Sequence, residues 1–234
     1  MVRGRGRREG RSGRMARNTY AVAAQRVDPA DSADYFPTPP WGARALCEYV
    51  IGPVKWPASA WEPACGAGHM ARPLAEYFEH VAATDLHGRG YGDTGVDFLN
   101  CQVPEGYRPD WVITNPPFNL AIEFAERAIS VAGEGVALLA RTAWAETGER
   151  YKFFSTHRPA LIAQFMGRLP MHKGKCERGA STATAYAWFV WRGHVEGTRW
   201  VMIPPCARTK LERWGDYDGE TGPKPTTENR RTRI

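Results

Sequence analysis

Between residues 59 and 165, short apolar runs alternate with glycine turns and helical patterns, and several of the runs end on a residue able to do chemistry. Ser59–Glu62 reads as a strand leading into Gly66-Ala67-Gly68 and a helix from about His69 to Phe78. Val81–Leu86 reads as a second strand, Gly95–Leu99 as a weak third and Asp110–Thr114 as a fourth. From Leu120 to Ala132 the spacing of Ile122, Ala125, Ile129 and Ala132 predicts an amphipathic helix. Val136–Ala140 is a fifth strand, helical turns occupy Trp144–Phe154, Leu161–Phe165 is a sixth strand, and Thr184–Trp191 is the last strong one. Pro39 and Pro40 open a helix through Ile51 upstream of all these. Strands alternating with helices predict a mostly parallel α/β sheet covered on both faces. Ligands bind such sheets at the carboxyl ends of the strands.

The 234 residues suffice for one domain with a full core, and nine Trp, nine Tyr and nine Phe exclude disorder throughout. No stretch approaches the ~20 apolar residues of a membrane span. The net charge of +6 points toward a nucleic-acid partner, but its location matters. Residues 1–18 carry seven Arg and one Glu, a net of +6, so the remaining residues balance at 24 against 24. This Arg/Gly-rich tail is expected to be disordered. It reads either as an arm attracting phosphates or as a segment ahead of a start at Met15. Residues 19–206 form the domain, with small recognition insertions at about 142–182, and 207–234 are expected to be extended or loose. Within the body, residues 19–140 carry seven basic and fifteen acidic groups, and residues 141–178 carry eight basic and three acidic. The five cysteines are odd in number and dispersed, with no CxxC pair, so no disulfide framework or metal site is expected and a reducing cytoplasm is the default.

The first chemical element is Glu62-Pro63-Ala64-Cys65-Gly66-Ala67-Gly68, a strand end that turns on glycines into a helix and lets a ligand approach the backbone. Asp85 ends the second strand, where a carboxylate can accept from a ribose diol or cap a turn. Asp97-Phe98 ends the third. Its acid can accept from an exocyclic amine while its ring stacks, or it is a loop acid beside a core Phe. Asn115-Pro116-Pro117-Phe118 follows the fourth strand and is the most specific. Two prolines stop the strand and set the backbone direction. The Asn115 side-chain oxygen and the Pro116 carbonyl can then both accept from one NH₂ group, and Phe118 can stack on the planar ring that bears it.

From about Asp34 to Pro205, this ordered set resembles the S-adenosylmethionine-dependent amino-group DNA methyltransferases in which cofactor motifs precede the catalytic motif. Small phage and prophage adenine-N6 enzymes are the nearest in pattern. The resemblance implies a Rossmann-like class I methyltransferase fold, α/β, with a seven-stranded, mostly parallel sheet and helices on both faces. It implies S-adenosyl-L-methionine as cofactor and DNA as partner, with no metal and no membrane, in a bacterial or phage-infected cytoplasm. Thr38, in Tyr35-Phe36-Pro37-Thr38-Pro39, then helps hold the methionine carboxylate. Glu62, Pro63, Ala64, Cys65, Gly66 and Gly68 border the methionine moiety, Asp85 takes the ribose, and Asp97 and Phe98 take the adenine. Asn115, Pro116, Pro117 and Phe118 are catalytic, with Asn115 also lining the cofactor site.

The basic stretch follows the fifth strand, so Arg141, Arg168, His172, Lys173, Lys175, Arg178 and Ser181 are expected to meet DNA. Fewer than 60 residues separate the fifth strand from the end of the last, which predicts a short or relaxed recognition site. An RNA base methyltransferase (adenine-N6 or guanine-N2), a cytosine-N4 enzyme, which more often carries Ser in place of Asn115, and a glutamine methyltransferase share the grip on an amino group. An inactive nucleic-acid-binding module is the alternative of a different class. Cys65 lies in the cofactor loop, which argues against cytosine-C5 chemistry.

Overall fold

A computed structural model of the protein describes residues 35–54, 58–103, 108–194 and 196–220, so the Arg/Gly-rich tail lies outside the described residues. Eight strands form one sheet: β1 (Ser59–Glu62), β2 (His80–Asp85), β3 (Asp93–Thr94), β4 (Trp111–Thr114), β5 (Gly135–Arg141), β6 (Leu161–Phe165), β7 (Tyr186–Arg192) and β8 (Arg199–Ile203). Their order is β3-β2-β1-β4-β5-β7-β6-β8. Every pairing is parallel except those of β7, which runs antiparallel to both β5 and β6. The strand order reverses between β1 and β4, the crevice where such sheets bind ligands.

The central strands are buried on both faces, so their side chains alternate between two cores. Ile113 sits beside Ala137, and Ala137 beside Val190, on one face. Leu138 sits beside Phe189 on the other. Each fully buried Ile, Val, Leu or Phe among these contributes about 1.5–3 kcal/mol. α1 (Pro40–Leu46, continuing as a wider turn through Ile51) covers the first face with Trp41 and Leu46. α3 (Ala121–Val131) and α4 (Gly148–Thr156) cover the second with Phe124 and Phe153.

Several expectations are corrected. The sheet has eight strands rather than seven; β8 adds parallel to β6, from Leu161 opposite Arg199 to Phe165 opposite Ile203. The third strand is Asp93–Thr94 rather than Gly95–Leu99, because Gly95 turns the chain at φ +77 and Asp97 then caps the next turn. α2 is only Ala71–Leu74, since Pro73 has no N–H to extend the ladder from His69. In α3 the buried stripe is Ala121, Phe124, Ala125 and Ala128, with Ile122 and Ile129 at its margins, because the Phe124 ring packs against Phe98.

Residues 207–220 are not loose. α5 (Ala207–Leu211) packs on α1, and the chain beyond it is anchored by Arg44. The buried Arg44 guanidinium donates to Asp216 at 2.8 and 3.0 Å, to Glu76 at 2.9 Å and to the Leu211 carbonyl at 2.9 Å. Burial works against its charge, yet the bonds to Asp216 and Glu76 outweigh that and hold it more firmly protonated than usual. The fold therefore continues at least to Glu220.

Candidate active site

The strand ends of β1, β2 and β4 meet at the switch point. Leaving β1, the chain enters the glycine turn with Gly66 at φ +55 and Gly68 at φ +80, values that disfavour any side chain. Close packing excludes one as well: a Cβ on Gly66 would strike the Tyr35 ring, and one on Gly68 would lie 2.5 Å from Tyr91. Tyr35 accepts the Ala67 N–H at 3.2 Å, and Arg89 and Arg72 lie over the rings of Tyr35 and Tyr91 at 4.2 and 4.7 Å. The two tyrosines roof the turn.

Two acids flank the turn, one at the end of β1 and one at the end of β2. Asp85 accepts from the Gly66 N–H at 2.8 Å and the His87 N–H at 2.7 Å, which ties β2 to the glycine turn. Each of its oxygens keeps a further acceptor position. Glu62 is 2% exposed and its Oε2 has no hydrogen-bond partner. Burial, reinforced by Asp85, raises its pKa well above the ordinary carboxylate value. A carboxyl oxygen unpartnered this deep leaves room for a ligand's polar group, and a cationic one would draw the carboxyl back to its ionised form. Cys65 lies in the same turn, and burial pushes its thiol up to about 12, so it stays protonated near neutrality. Pro63 and Ala64 complete the turn without polar side chains.

At the end of β4, Asn115 is fixed from one side only. Its Nδ2 donates to the Phe36 carbonyl at 2.8 Å and lies 3.7 Å from Met171 Sδ. Its Oδ1 is buried without a partner. Pro116 is buried, Pro117 is extended at φ −52, and Phe118 begins a short 3₁₀ turn. The Phe118 ring lies 5.2 Å from Phe36, and the Arg141 guanidinium sits 4.5 Å from its centroid. Planar and cationic groups thus surround one unpaired acceptor.

The structure distributes the remaining expected residues unevenly. Thr38 is buried and turns its hydroxyl to Met171 Sδ at 3.7 Å, so it supports Asn115's neighbour instead of the glycine turn. Asp97 accepts from the Leu99 N–H and the Asn100 amide. Phe98 is 2% exposed, edge-on to Trp61 at 5.0 Å, so in this structure it is a wall rather than an open stacking face.

Among the basic residues, Arg178 is committed within the fold. It pairs with Glu220 at 2.5 Å and Glu212 at 2.7 Å. Lys175 pairs with Glu177 at 2.8 Å in an exposed contact of little strength. His172 Nε2 donates to the Ser181 carbonyl at 2.9 Å, and His172 bridges to Lys175 in a tight turn beside the exposed Lys173. Arg141, Arg168 and Ser181 are exposed, at the sheet edge where the parallel strands end. Among the described residues no group of three or more His, Cys, Asp or Glu could hold a metal, and no helix is long and apolar enough to cross a membrane.

Sequence reasoning missed Phe36, Met171, Tyr91 and the His69–Asp218 contact at 2.9 Å. The aromatic Tyr35-Phe36 ahead of Pro37 was a usable signal. The Met171 thioether and the Phe36 carbonyl had none.

The fold is that of Rossmann-like methyltransferases. A modification subunit of a putative type I restriction enzyme from Vibrio vulnificus is similar with TM-score 0.52 and 14% identity over 74% of this chain and 48% of that one. The type I restriction-modification methyltransferase subunit from Streptococcus thermophilus gives 0.54 and 10% over 72% and 46%. This chain thus spans about half the length of each. A putative RNA methyltransferase from Pyrococcus horikoshii gives 0.50 and 14% over 72% and 91%. No protein-family model matches the chain. No curated protein matches it in sequence.

Proposed function

We propose that the protein transfers a methyl group from S-adenosyl-L-methionine to the exocyclic N6 amine of adenine in DNA, with short or relaxed sequence specificity. The carrying observation is Asn115: its amide nitrogen is engaged by Phe36, and its Oδ1 is buried and unpartnered at the switch-point crevice. The residues beside it suit the cofactor. Glu62 supplies the acceptor an amino-acid ammonium group needs, Asp85 keeps acceptor positions for a ribose diol, and the glycine turn brings backbone close to both. When bound, S-adenosylmethionine supplies a methyl group on a positively charged sulfur.

The chain's own part is to prepare the amine. An adenine amino group is a poor nucleophile because its lone pair is delocalised into the ring. Asn115 Oδ1 and the Pro116 carbonyl accept its two hydrogens, favour a tetrahedral nitrogen and stabilise the positive charge that develops there. As the N–C bond forms the methyl–sulfur bond breaks to leave a neutral thioether, and the nitrogen then gives one of its two protons to solvent. Phe118, flanked by Phe36 and Arg141, offers the surface on which the base rests. A base inside a duplex is out of reach, so it enters flipped or already unpaired. Cys65 takes no part, since its thiol is protonated.

The deciding experiment incubates the protein with labelled S-adenosylmethionine and DNA, RNA or protein acceptors, then digests the product to nucleosides for mass spectrometry. N6-methyldeoxyadenosine is the expected product. Label confined to RNA or to a glutamine side chain would refute the DNA reading.

A further inference from the structure

At the carboxyl ends of β6 and β8 lies a cleft of ≈ 260 Å³, apart from the glycine turn. Its floor is Trp41 and Phe165, whose rings meet edge-on at 5.5 Å, and Pro204 and Pro205 form a wall. Arg168, Ser181, Thr182 and Arg208 supply its polar side chains, and no carboxylate lines it. Those groups lean toward donation. Trp41 is 1% exposed and its Nε1–H has no partner. The Thr182 hydroxyl oxygen accepts from the Thr184 N–H at 3.1 Å, leaving its own hydrogen to give. Arg208 spends Nε on Glu212 and Nη1 on the Ala180 carbonyl and keeps Nη2. Arg168 is exposed at the rim.

A donor-rich rim over an apolar floor suits a ligand with acceptor oxygens on one side and C–H groups on the other. We propose that the cleft is a sugar–phosphate subsite for the nucleic-acid strand that carries the target base. The phosphate oxygens, which only accept, meet Arg168, Arg208 and Thr182. The sugar lies on the prolines. The cleft opens on the same sheet edge as Asn115, three strand spacings away from β4 through β5 and β7 to β6. That is roughly 14 Å, about four stacked nucleotides along one strand. The inference rests on the nucleic-acid reading above but not on which base is methylated.

The test compares full-length wild type with Arg168→Ala, Arg168→Lys and the control Arg158→Ala. Arg158 is exposed ahead of β6, at the opposite sheet edge, so it removes the same charge elsewhere. Binding to labelled duplexes of several unrelated sequences is measured across a salt series, together with methyl transfer by the wild type. Arg168→Ala is expected to weaken binding several-fold for every sequence and to reduce the slope of log K against log salt by about one. Arg168→Lys keeps the slope, and Arg158→Ala leaves it unchanged. An unchanged slope for Arg168→Ala overturns the subsite, as does a loss confined to duplexes with one particular base, which means base readout. A wild type that binds and methylates no nucleic acid overturns the reading beneath it.

Discussion

Asn115 Nδ2 donates to the Phe36 carbonyl at 2.8 Å, so the orientation of the Asn115 amide is set by a backbone atom 79 residues upstream. That leaves one acceptor, the buried Oδ1, without a partner. Replacing Asn115 with Ala removes it together with one of the two grips on the amine. We expect the rate of methyl transfer to fall by at least about a hundredfold, the scale seen when one preorganised charge-stabilising group is lost. Calorimetric titration should show cofactor affinity nearly unchanged. Near-normal turnover by this variant would remove Asn115 from the mechanism.

Met171 lies 3.7 Å from both Asn115 Nδ2 and Thr38 Oγ1 and is buried. In the proposed reaction it acts through Asn115, as a positioning residue. Met171→Leu keeps the volume and loses the acceptor. A hydrogen bond of this order contributes roughly 0.5–1.5 kcal/mol, so kcat is expected to drop about two- to tenfold. KM for both substrates and the Tm should hold. A loss that appears in KM or in Tm, with kcat intact, would show that Met171 is only packing.

The Glu62 carboxyl sets up opposite effects on stability and binding. Its folded pKa is raised by burial and by Asp85, so the folded state holds a proton that the unfolded state gives up. Stability is therefore fully present below the ordinary carboxylate pKa and declines as pH rises from there toward the raised folded value. Glu62→Gln removes that decline and should raise Tm at neutral pH. The same variant should weaken cofactor binding. Cofactor binding by the wild type should release protons, because a cationic ligand favours the ionised carboxylate. Titrations in buffers of different ionisation enthalpy measure that release, which the variant lacks.

Arg44 is the buried hub that holds the chain after α5 to α1 and α2. Asp216→Ala leaves its guanidinium buried with Glu76 as the remaining carboxylate. Losing charged hydrogen bonds of this kind costs about 2–3 kcal/mol. For a domain of this size that lowers Tm by about 4–12 °C, readable by thermal melts. A shift within a degree would mean that residues 212–220 contribute nothing to the fold.

The central strands were legible because strands buried on both faces read as unbroken apolar runs. Leu161–Phe165 matches its expected limits, and Asp110–Thr114 differs from β4 by one residue. β8 was not, since three of its five residues are exposed at the sheet edge, among them Trp200 and Met202. At the site, Asn115 to Phe118 announced themselves because two prolines after a buried strand have few structural uses. The Phe36 carbonyl could not, for a backbone atom leaves no mark on residue identity. The pairing of Arg178 is hidden in the sequence because its partners Glu212 and Glu220 lie 34 and 42 residues downstream. A local count of charge does not set those acids against it.

The reversed strand β7 has a consequence for how such a protein changes over time. Because β6 ends and β7 begins on the same edge, residues 166–185 leave the sheet and return to it at the edge where β4 delivers Asn115. Lengthening that excursion adds surface at this edge while every strand keeps its neighbours. Insertion at one place thus reshapes what faces Asn115 at little risk to the sheet.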